Sequence, residues 1–514
     1  MIYNEKIAYN CELLINYGLK VKLFDPMDTV FVRNSMLSLL MLDKPYGECD
    51  VTPEKPFEAL EAIMDAVAED EERKSILLPD DTITYRDLLD TAIMGCMTPW
   101  PSAVTAEFNR LKACQGIKAA TDYFYHMAVD SNYIRMDRIA KNKLWQAESP
   151  YATLTITVNL TKPEKDPKEI AKLKLLPPNE YPKCALCRQN EGYRGTLQSA
   201  ARQNHRLLGI TLNNESWHMQ YSPYVYYNEH CIMLRNEHVP MKIEHDSFRR
   251  LLDFVEQFPH YFAGSNADLP IVGGSILTHD HFQGGNAHMP MFDGKELESF
   301  TSPEFEGVSI RRIHWPLSTV KLVGKDIPQL VEAAYKLHTT WMGYSDPEQD
   351  VIAYTGDTRH NTITPIVRRE GDDFAMYCVL RNNRTSAEHP DGIFHPHTQW
   401  HHIKKENIGL IEVMGYFILP GRLDNELKLL ADAMVAGTVD KLSPDSPAYK
   451  HAEWAREILN SNTITAENVM SVLQREVGVV CTHVLEDAGV FKTDEKGSKG
   501  FIKFLTEAMG YVME

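Results

Sequence analysis

The apolar residues near the start of the chain recur at the three- and four-residue spacing of amphipathic helices. After Pro56 the same spacing returns, and it continues through residues 101–145. The positions that carry it are Ile7, Cys11, Leu14, Ile15, Leu60, Ile63, Met64, Val67, Phe108, Leu111, Ile117, Phe124 and Met127. Helical spacing also dominates from Asp424 onward. We therefore predict helical regions over residues 1–150 and 424–514.

Between these regions the pattern changes to the two-residue period of strands. Residues 153–160 alternate polar and apolar side chains strictly, which predicts a half-buried strand. Residues 224–227 and 231–234 carry aromatic and aliphatic side chains and are also predicted to be strands. Residues 162–183 are rich in Lys, Pro and Glu, and they predict a linker with one short helix.

One order of elements occurs twice in this middle part. Residues 246–258 predict an amphipathic helix with Asp246 as its N-cap, and a Gly- and His-rich strand follows at 270–285. Later, residues 327–342 predict a helix and residues 362–381 a hairpin, before a second group of histidines. The repetition of strands, helix and a histidine-rich segment indicates an internal duplication.

These elements divide the chain into four regions. We expect a mostly helical region over 1–150, a first half of the repeat over 151–320, a second half over 321–423, and a helical region over 424–514.

Composition excludes several classes of function. The chain has 514 residues, with 53 Lys and Arg against 71 Asp and Glu, and a formal charge of −18. This acidic balance disfavours a nucleic-acid partner, and the lack of an 18-residue apolar run argues against a membrane span. The first residues mix charges among apolar side chains, unlike a signal peptide. Nine cysteines, an odd number, are typical of reduced thiols, so we expect a cytoplasmic protein.

The candidate chemistry lies in a histidine-rich strand. His279, His281 and Gln283 stand at i, i+2 and i+4, a spacing that places all three on one face of a strand. Paired glycines flank them, and glycine backbone can approach and bind phosphate oxygens. An imidazole there can attack a phosphoryl centre, while an amide can donate to a phosphoryl oxygen. The alternative is an ordinary strand with polar residues facing solvent.

Cys184 and Cys187 form a CxxC turn, which supplies two of the four ligands that zinc requires. Redox activity and two incidental thiols are the alternatives. No second CxxC exists, so the other ligands would be histidines. His238 and His279 are the candidates, with His230 in reserve, and a metal at His279 would be structural and would position His281.

The segment Asp268–Gly285, DLPIVGGSILTHDHFQGG, closely resembles the motif of the class II galactose-1-phosphate uridylyltransferases. These enzymes are also called UDP-glucose–hexose-1-phosphate uridylyltransferases. The resemblance extends to the helical start, the CxxC turn and residues 407–423. It implies a duplicated, HIT-like (histidine-triad) α+β architecture in which only the first half keeps the active strand.

The resemblance also implies a reaction and a set of roles. UDP-glucose would give its uridylyl group to His281, supported by Gln283, and galactose 1-phosphate would then accept it. His279 would ligate a structural zinc together with Cys184, Cys187 and His238, and no organic cofactor is implied. Asp280 stands where the class I relatives have Pro, so the zinc geometry of class I is carried over to this chain less directly than the nucleophile. Small-molecule substrates and a homodimer are the expected partners.

Other candidate site residues rest on local pattern. Asn214, Asn266 and Ser275 match positions that contact ribose and phosphate in the HIT superfamily, although a turn-forming Asn or a capping Ser fits as well. The acidic chain would need a positive island for two phosphorylated substrates. The cations proposed for that island, from proximity in sequence, are Arg202, Arg206 and Lys321.

The second histidine group comprises His395, His397, His401 and His402. We expect it to line the sugar pocket or a dimer interface, because one ligand of the second metal site of the class I relatives is missing. Two other functions remain open: a HIT-type phosphorylase or hydrolase, and a zinc-binding interaction module.

Overall fold

The computed structural model describes residues 3–160, 180–274 and 276–514. Most of the expected linker at 162–183, including its short helix, and Ser275 lie outside the described residues. The helices are α1 Glu5–Lys20, α2 Thr29–Leu39, α3 Phe57–Glu69, α4 Glu71–Leu77, α5 Ile83–Gly95, α6 Pro101–Gln115, α7 Ile117–Asp130, α8 Met136–Ile139, α9 His245–Gln257, α10 Ile327–Gly343, α11 Leu410–Val413, α12 Arg422–Val435, α13 Ala452–Ser461, α14 Val469–Ala488 and α15 Glu495–Lys503. No described helix has the length and apolar character needed to span a bilayer.

The strands of the described residues fall into one large sheet, one small sheet and a two-stranded ribbon. They are β1 Lys143–Ala147, β2 Leu154–Asn159, β3 Leu208–Leu212, β4 Glu215–Tyr221, β5 Cys231–Arg235, β6 Phe262–Gly264, β7 His281–Gly285, β8 Glu296–Thr301, β9 Ser309–Ile313, β10 Thr319–Gly324, β11 Tyr354–Thr355, β12 Thr358–Arg359, β13 Asn361–Glu370, β14 Asp373–Asn382, β15 Tyr416–Pro420 and β16 Val512–Met513. Helices and antiparallel strands confirm the α+β fold.

Helices α1–α8 and α12–α15 make up most of the two end regions, as the spacing predicted, but residues 143–147 form strand β1. In α1, Asn4 caps the helix by accepting a hydrogen bond from the Ile7 amide, and the spaced apolar positions are buried. The strand predicted over residues 153–160 is β2, and it belongs to the small sheet, where β15 joins it in parallel from the distant C-terminal part.

The large sheet shows the internal duplication directly. In the described residues its order is β3-β4-β5-β7-β6 followed by β13-β14-β10-β9-β8, with β16 added at the edge. Each half is a three-stranded meander, a helix and a two-stranded hairpin, and the halves join where β6 pairs with β13. The second meander begins at Glu296, so we infer that the second half starts upstream of residue 321.

Glycine permits the close pairing of the two central strands. A Cβ on Gly284 of β7 would lie 2.4 Å from the carbonyl oxygen of Phe262 in β6. Any larger residue at this position would force the two strands apart.

Three predictions about the first half need correction. Residues 224–227 form turns because Val225 has a φ of 40°, which a strand cannot contain. The N-cap of α9 is Glu244, which forms a capping box with Ser247, and Asp246 lies inside the helix. Finally, His279 precedes β7 and does not belong to it, since the strand begins at His281.

Candidate active site and metal centre

The side chains of His281 and Gln283 project from the same face of β7, as the spacing predicted. On the opposite face Phe282 stacks against Trp217, with the ring centroids 5.1 Å apart, in the core beneath α9. This aromatic stack holds β7 against the core on the face opposite His281 and Gln283. The polar face is therefore presented toward the side of the sheet that carries the C-terminal helices.

The hydrogen bond of His281 shows which ring nitrogen keeps a free lone pair. Nδ1 of His281 lies 2.8 Å from the backbone carbonyl oxygen of His279. A carbonyl oxygen only accepts hydrogen bonds, so Nδ1 carries the proton and Nε2 keeps its lone pair. Burial lowers the pKa of His281 to about 4, so the imidazole is neutral near pH 7. This is the state that a nucleophilic histidine requires.

Gln283 is held by a histidine. Its Oε1 lies 3.0 Å from Nε2 of His230, whose ring is buried just before β5. The side-chain nitrogen of Gln283 has no hydrogen-bond partner among the residues described. The amide N–H groups therefore remain available to a bound ligand.

Four side chains converge on a point beside β7 and form a group that could hold a metal ion. Atoms of Cys184, Cys187, His238 and His279 all lie within 4.8 Å of one another. Cys184 Sγ is 3.2 Å from His279 Nδ1, and Cys187 Sγ is 3.1 Å from His238 Nδ1. The two sulfurs are 3.5 Å apart.

The surroundings of this cluster fit a metal site. Nε2 of His279 donates to the carbonyl oxygen of Arg235 at 2.8 Å, so Nδ1 turns its lone pair toward the thiols. Asn190 donates to the carbonyl oxygens of both cysteines and holds the turn. Burial raises the pKa of the Cys184 thiol to about 11, with Cys187 adding to the effect. A cation would offset this penalty and favour the thiolates.

A cavity of about 1680 Å³ reaches Tyr226, close to His230. Tyr133 and Arg138 from the helical N-terminal region, Arg202, Tyr226 and Arg422 line different parts of its wall. His281 and Gln283 are not in this wall. Their link to it is Tyr226, whose ring stacks on that of His230 with centroids 5.4 Å apart. The N-terminal helices, for which the sequence suggested no role, thus line part of this cavity.

The comparisons with known proteins agree over nearly the whole chain. Residues 24–240 match the model of the galactose-1-phosphate uridyl transferase N-terminal domain, and residues 254–455 match that of the C-terminal domain. The chain belongs to this family. It is 49% identical to the galactose-1-phosphate uridylyltransferase of Halalkalibacterium halodurans over 97% of this chain and 98% of that protein. It is 46% identical to the enzyme of the same name from Bacillus subtilis, covering 98% of each.

Among solved structures, the yeast Ap4A phosphorylase Apa2 matches 59% of this chain and 88% of its own, with 12% identity and a TM-score of 0.31. A likeness this weak supports no argument about the uridylyltransferase site.

Asn214 and Asn266, the two described residues expected to contact ribose and phosphate, lie in different parts of the first repeat. Asn266 is buried, and its side-chain oxygen accepts a hydrogen bond from the Leu410 amide at 2.9 Å. It therefore ties the first repeat to the second. Asn214 has a φ of 60° in the β3–β4 turn. Asn214 lies four residues before His218 of β4. His218 and His281 lie opposite the same residue of β5, so they are at the same level along the strands. At ~3.3 Å per residue this separation is ~13 Å along the strand.

Of the three cations expected around the phosphates, Arg202 alone lines the cavity. The other cavity-lining cations in the described residues, Arg135, Arg138, Lys404 and Arg422, all pair with carboxylates. Within that same set Arg202 has no carboxylate partner, and it lies over the ring of Tyr133.

The other two cations do not line this cavity, and each is engaged elsewhere. The guanidinium of buried Arg206 donates to four backbone carbonyl oxygens, those of Thr98, Pro99, Gln203 and His205. Lys321 pairs with Glu296 and Glu370, four strands away from β7 in the second repeat.

The second histidine group is a loop with one short 3-10 turn, Thr398–Trp400. None of its four histidines is in the wall of the cavity. His395 contacts Asn407, which is in the wall. His402 and His451 share a hydrogen bond 2.8 Å long. A contribution to a dimer interface stays a prediction. In the second repeat the strand equivalent to β7 is β14, and it contains no histidine.

Sequence reasoning missed the role of His230, which was a reserve metal ligand. In the structure its imidazole binds Gln283 and lies outside the metal cluster. The missed signal was the aromatic segment at 224–227, interpreted as a strand. Those tyrosines instead form a turn that packs against His230.

Proposed function

We propose that the chain catalyses the reaction UDP-glucose + galactose 1-phosphate = glucose 1-phosphate + UDP-galactose through a uridylyl group carried on His281. The observation that carries this proposal is the neutral, buried imidazole of His281, whose Nδ1 is occupied by the His279 carbonyl. It lies in a chain whose full-length relatives are named galactose-1-phosphate uridylyltransferases.

In the first half-reaction the Nε2 lone pair of His281 attacks the α-phosphorus of UDP-glucose. The new bond joins nitrogen to phosphorus, and the bond to the bridging oxygen breaks. The electron pair leaves with that oxygen on glucose 1-phosphate, so no oxidant or reductant is needed. In the second half-reaction a phosphate oxygen of galactose 1-phosphate attacks the same phosphorus and expels the imidazole.

The surrounding residues act on charge and position. The Nδ1–H bond to the His279 carbonyl stabilises the positive charge that develops on the ring as the bond to phosphorus forms. The free amide N–H groups of Gln283 donate to a phosphoryl oxygen of the transferred group. Arg202 in the cavity wall offsets the charge of the substrate phosphates.

We further propose that the metal held by Cys184, Cys187, His238 and His279 is zinc. Two thiols and two imidazoles are a typical ligand set for a structural zinc ion. When bound, zinc cross-links the CxxC turn to the segments that carry the two histidines. Because His279 also supplies the carbonyl that holds His281, this cross-link fixes the orientation of the reactive ring.

Incubation of the purified protein with UDP-glucose alone tests the proposed function. We expect a covalent uridylylated enzyme, acid-labile and alkali-stable as a phosphoramidate is, with the label on His281. Labelled glucose 1-phosphate should exchange into UDP-glucose without any second sugar. A hydrolase would release UMP and show no exchange, and a binding module would do neither. Either result, or a label on another residue, contradicts the proposal.

A further inference from the structure

His230 contacts the catalytic strand from outside it. The residue lies directly before β5, and only 2% of it is exposed. Its Nε2 is 3.0 Å from Oε1 of Gln283. Because an amide oxygen only accepts, the proton of this hydrogen bond is on His230. Burial lowers the pKa of His230 to about 4, which agrees with a neutral ring.

Two tyrosines hold the plane of this ring. Tyr226 stacks on it with centroids 5.4 Å apart and an interplanar angle of 27°, and Tyr227 lies at 4.6 Å and 44°. The hydroxyl of Tyr227 donates to the carbonyl oxygen of Gly284, beside Gln283 in β7. The two tyrosines therefore fix the ring of His230 relative to β7, through the ring contacts and through the hydrogen bond of Tyr227 to Gly284.

The orientation of the Gln283 amide follows from this arrangement. An unconstrained glutamine presents either its oxygen or its nitrogen to a ligand, and an oxygen turned toward a phosphoryl group would repel it. With Oε1 bound to His230, the NH₂ group is the part left free, and it has no partner among the described residues. We propose that His230 is a positioning residue that holds the Gln283 amide with its N–H groups toward the transferred phosphoryl group. This inference rests on the proposed uridylyl transfer.

Variants at His230 test the hydrogen bond separately from the packing. His230→Phe keeps a ring for the tyrosines and removes the donor, and His230→Asn is too short to reach Gln283. His230→Gln places an amide N–H near the position of Nε2. His338→Phe is the matched control: His338 is also buried with a pKa of about 4 and one hydrogen bond to a carbonyl, and it lies on α10 away from the site.

We expect His230→Phe and His230→Asn to lower kcat for the exchange reaction by ~10- to 100-fold, which is less than the roughly 10²–10³-fold loss from removing one oxyanion donor, because the Gln283 amide is misplaced and not removed. The KM for UDP-glucose should change less than about threefold, and His230→Gln should recover most of the rate. Gln283→Ala should lower kcat by ~10²-fold. A double variant that combines His230→Phe with Gln283→Ala should lower kcat no further than Gln283→Ala alone. His338→Phe should lower the melting temperature without changing kcat.

If the losses of kcat in the two single variants multiply in the double variant, His230 and Gln283 act independently, and this result would overturn the role of His230. A kcat of wild-type size in His230→Phe or His230→Asn would overturn it as well. In both cases the wild-type protein still exchanges glucose 1-phosphate, so the proposed function stands. If the wild-type protein shows no exchange, the proposed function itself fails and the role of His230 fails with it.

Discussion

The hydrogen bond from Nδ1 of His281 to the His279 carbonyl leaves one nitrogen of the ring free to react. We expect His281→Gly to abolish the exchange of glucose 1-phosphate into UDP-glucose, because no nucleophile remains. The substitution leaves a space of about one imidazole in a buried site. Added imidazole-uridylate should therefore restore transfer to galactose 1-phosphate, measured as UDP-galactose formed.

Rescue by imidazole-uridylate requires the space that the missing His281 ring leaves. The same reagent given to a Gln283→Ala variant, which keeps the His281 ring, should give no comparable gain. Exchange activity retained in His281→Gly would contradict the assignment of the nucleophile.

The metal cluster joins elements that are far apart in the sequence. The CxxC turn comes after the small sheet, His238 follows β5, and His279 precedes β7. We expect Cys184→Ser to lower bound zinc and the melting temperature together, because a metal bound only by the folded state adds to the free energy of unfolding. Activity should fall partly, through misplacement of His281. Elemental analysis and thermal unfolding measure the two effects.

Cys96→Ser is the matched control for this prediction, since Cys96 is also a half-buried thiol and lies in the N-terminal helical region. It should leave the zinc content unchanged. A fully active wild-type protein that contains no metal would contradict the structural role.

The β13–β14 hairpin carries a titratable group of the second repeat. Burial raises the pKa of Glu370, but hydrogen bonds from Lys321, Arg368 and Tyr377 outweigh it and lower the pKa to about 2. A carboxyl with a lowered pKa stabilises the fold above its unfolded value of about 4.3, and the effect is lost as the pH falls toward 2. We expect Glu370→Gln to cost about 1–3 kcal/mol at pH 7.

The difference from wild type should shrink as the pH is lowered from 5 toward 3, and urea unfolding at several pH values measures it. Glu348→Gln, a change at an exposed position, is the control. A difference that is constant with pH would show that Glu370 does not act through its charge.

At the scale of the whole molecule, Arg206 connects the N-terminal helices to the first repeat. It binds carbonyl oxygens of residues 98 and 99 as well as residues 203 and 205. We expect Arg206→Ala to cost about 2–4 kcal/mol, because buried carbonyl groups lose their donors. The KM for UDP-glucose should stay within twofold of wild type.

Arg202→Ala is the matched change on the cavity side. It should raise the KM for UDP-glucose and leave the melting temperature nearly unchanged, since the side chain has no carboxylate partner among the described residues. An increased KM with unchanged stability in Arg206→Ala would instead support the original assignment of Arg206 to the phosphates. The expected homodimer and cytoplasmic location stay predictions.

Local regularities of the sequence predicted much of the fold. Helical spacing predicted α1, α3 and α10, and strict alternation predicted β2, because these patterns record which face of an element is buried. The repeated order of elements predicted the duplicated halves. The CxxC turn and its candidate histidines also predicted which four side chains converge in a group that could hold a metal ion, because residue types with metal-binding chemistry can be recognised even when they are distant in the sequence.

Tertiary structure alone decided the features that depend on contacts between distant segments. It placed residues 224–227 in a turn against His230, engaged Arg206 with backbone carbonyls, and bound Asn266 to a loop of the second repeat. The sequence determined which side chains carry nucleophilic, ligating and donor groups. The packing decided which hydrogen-bonding atoms remain free for a substrate. The partners of these groups lie in distant parts of the chain, and no local sequence pattern shows that they will meet.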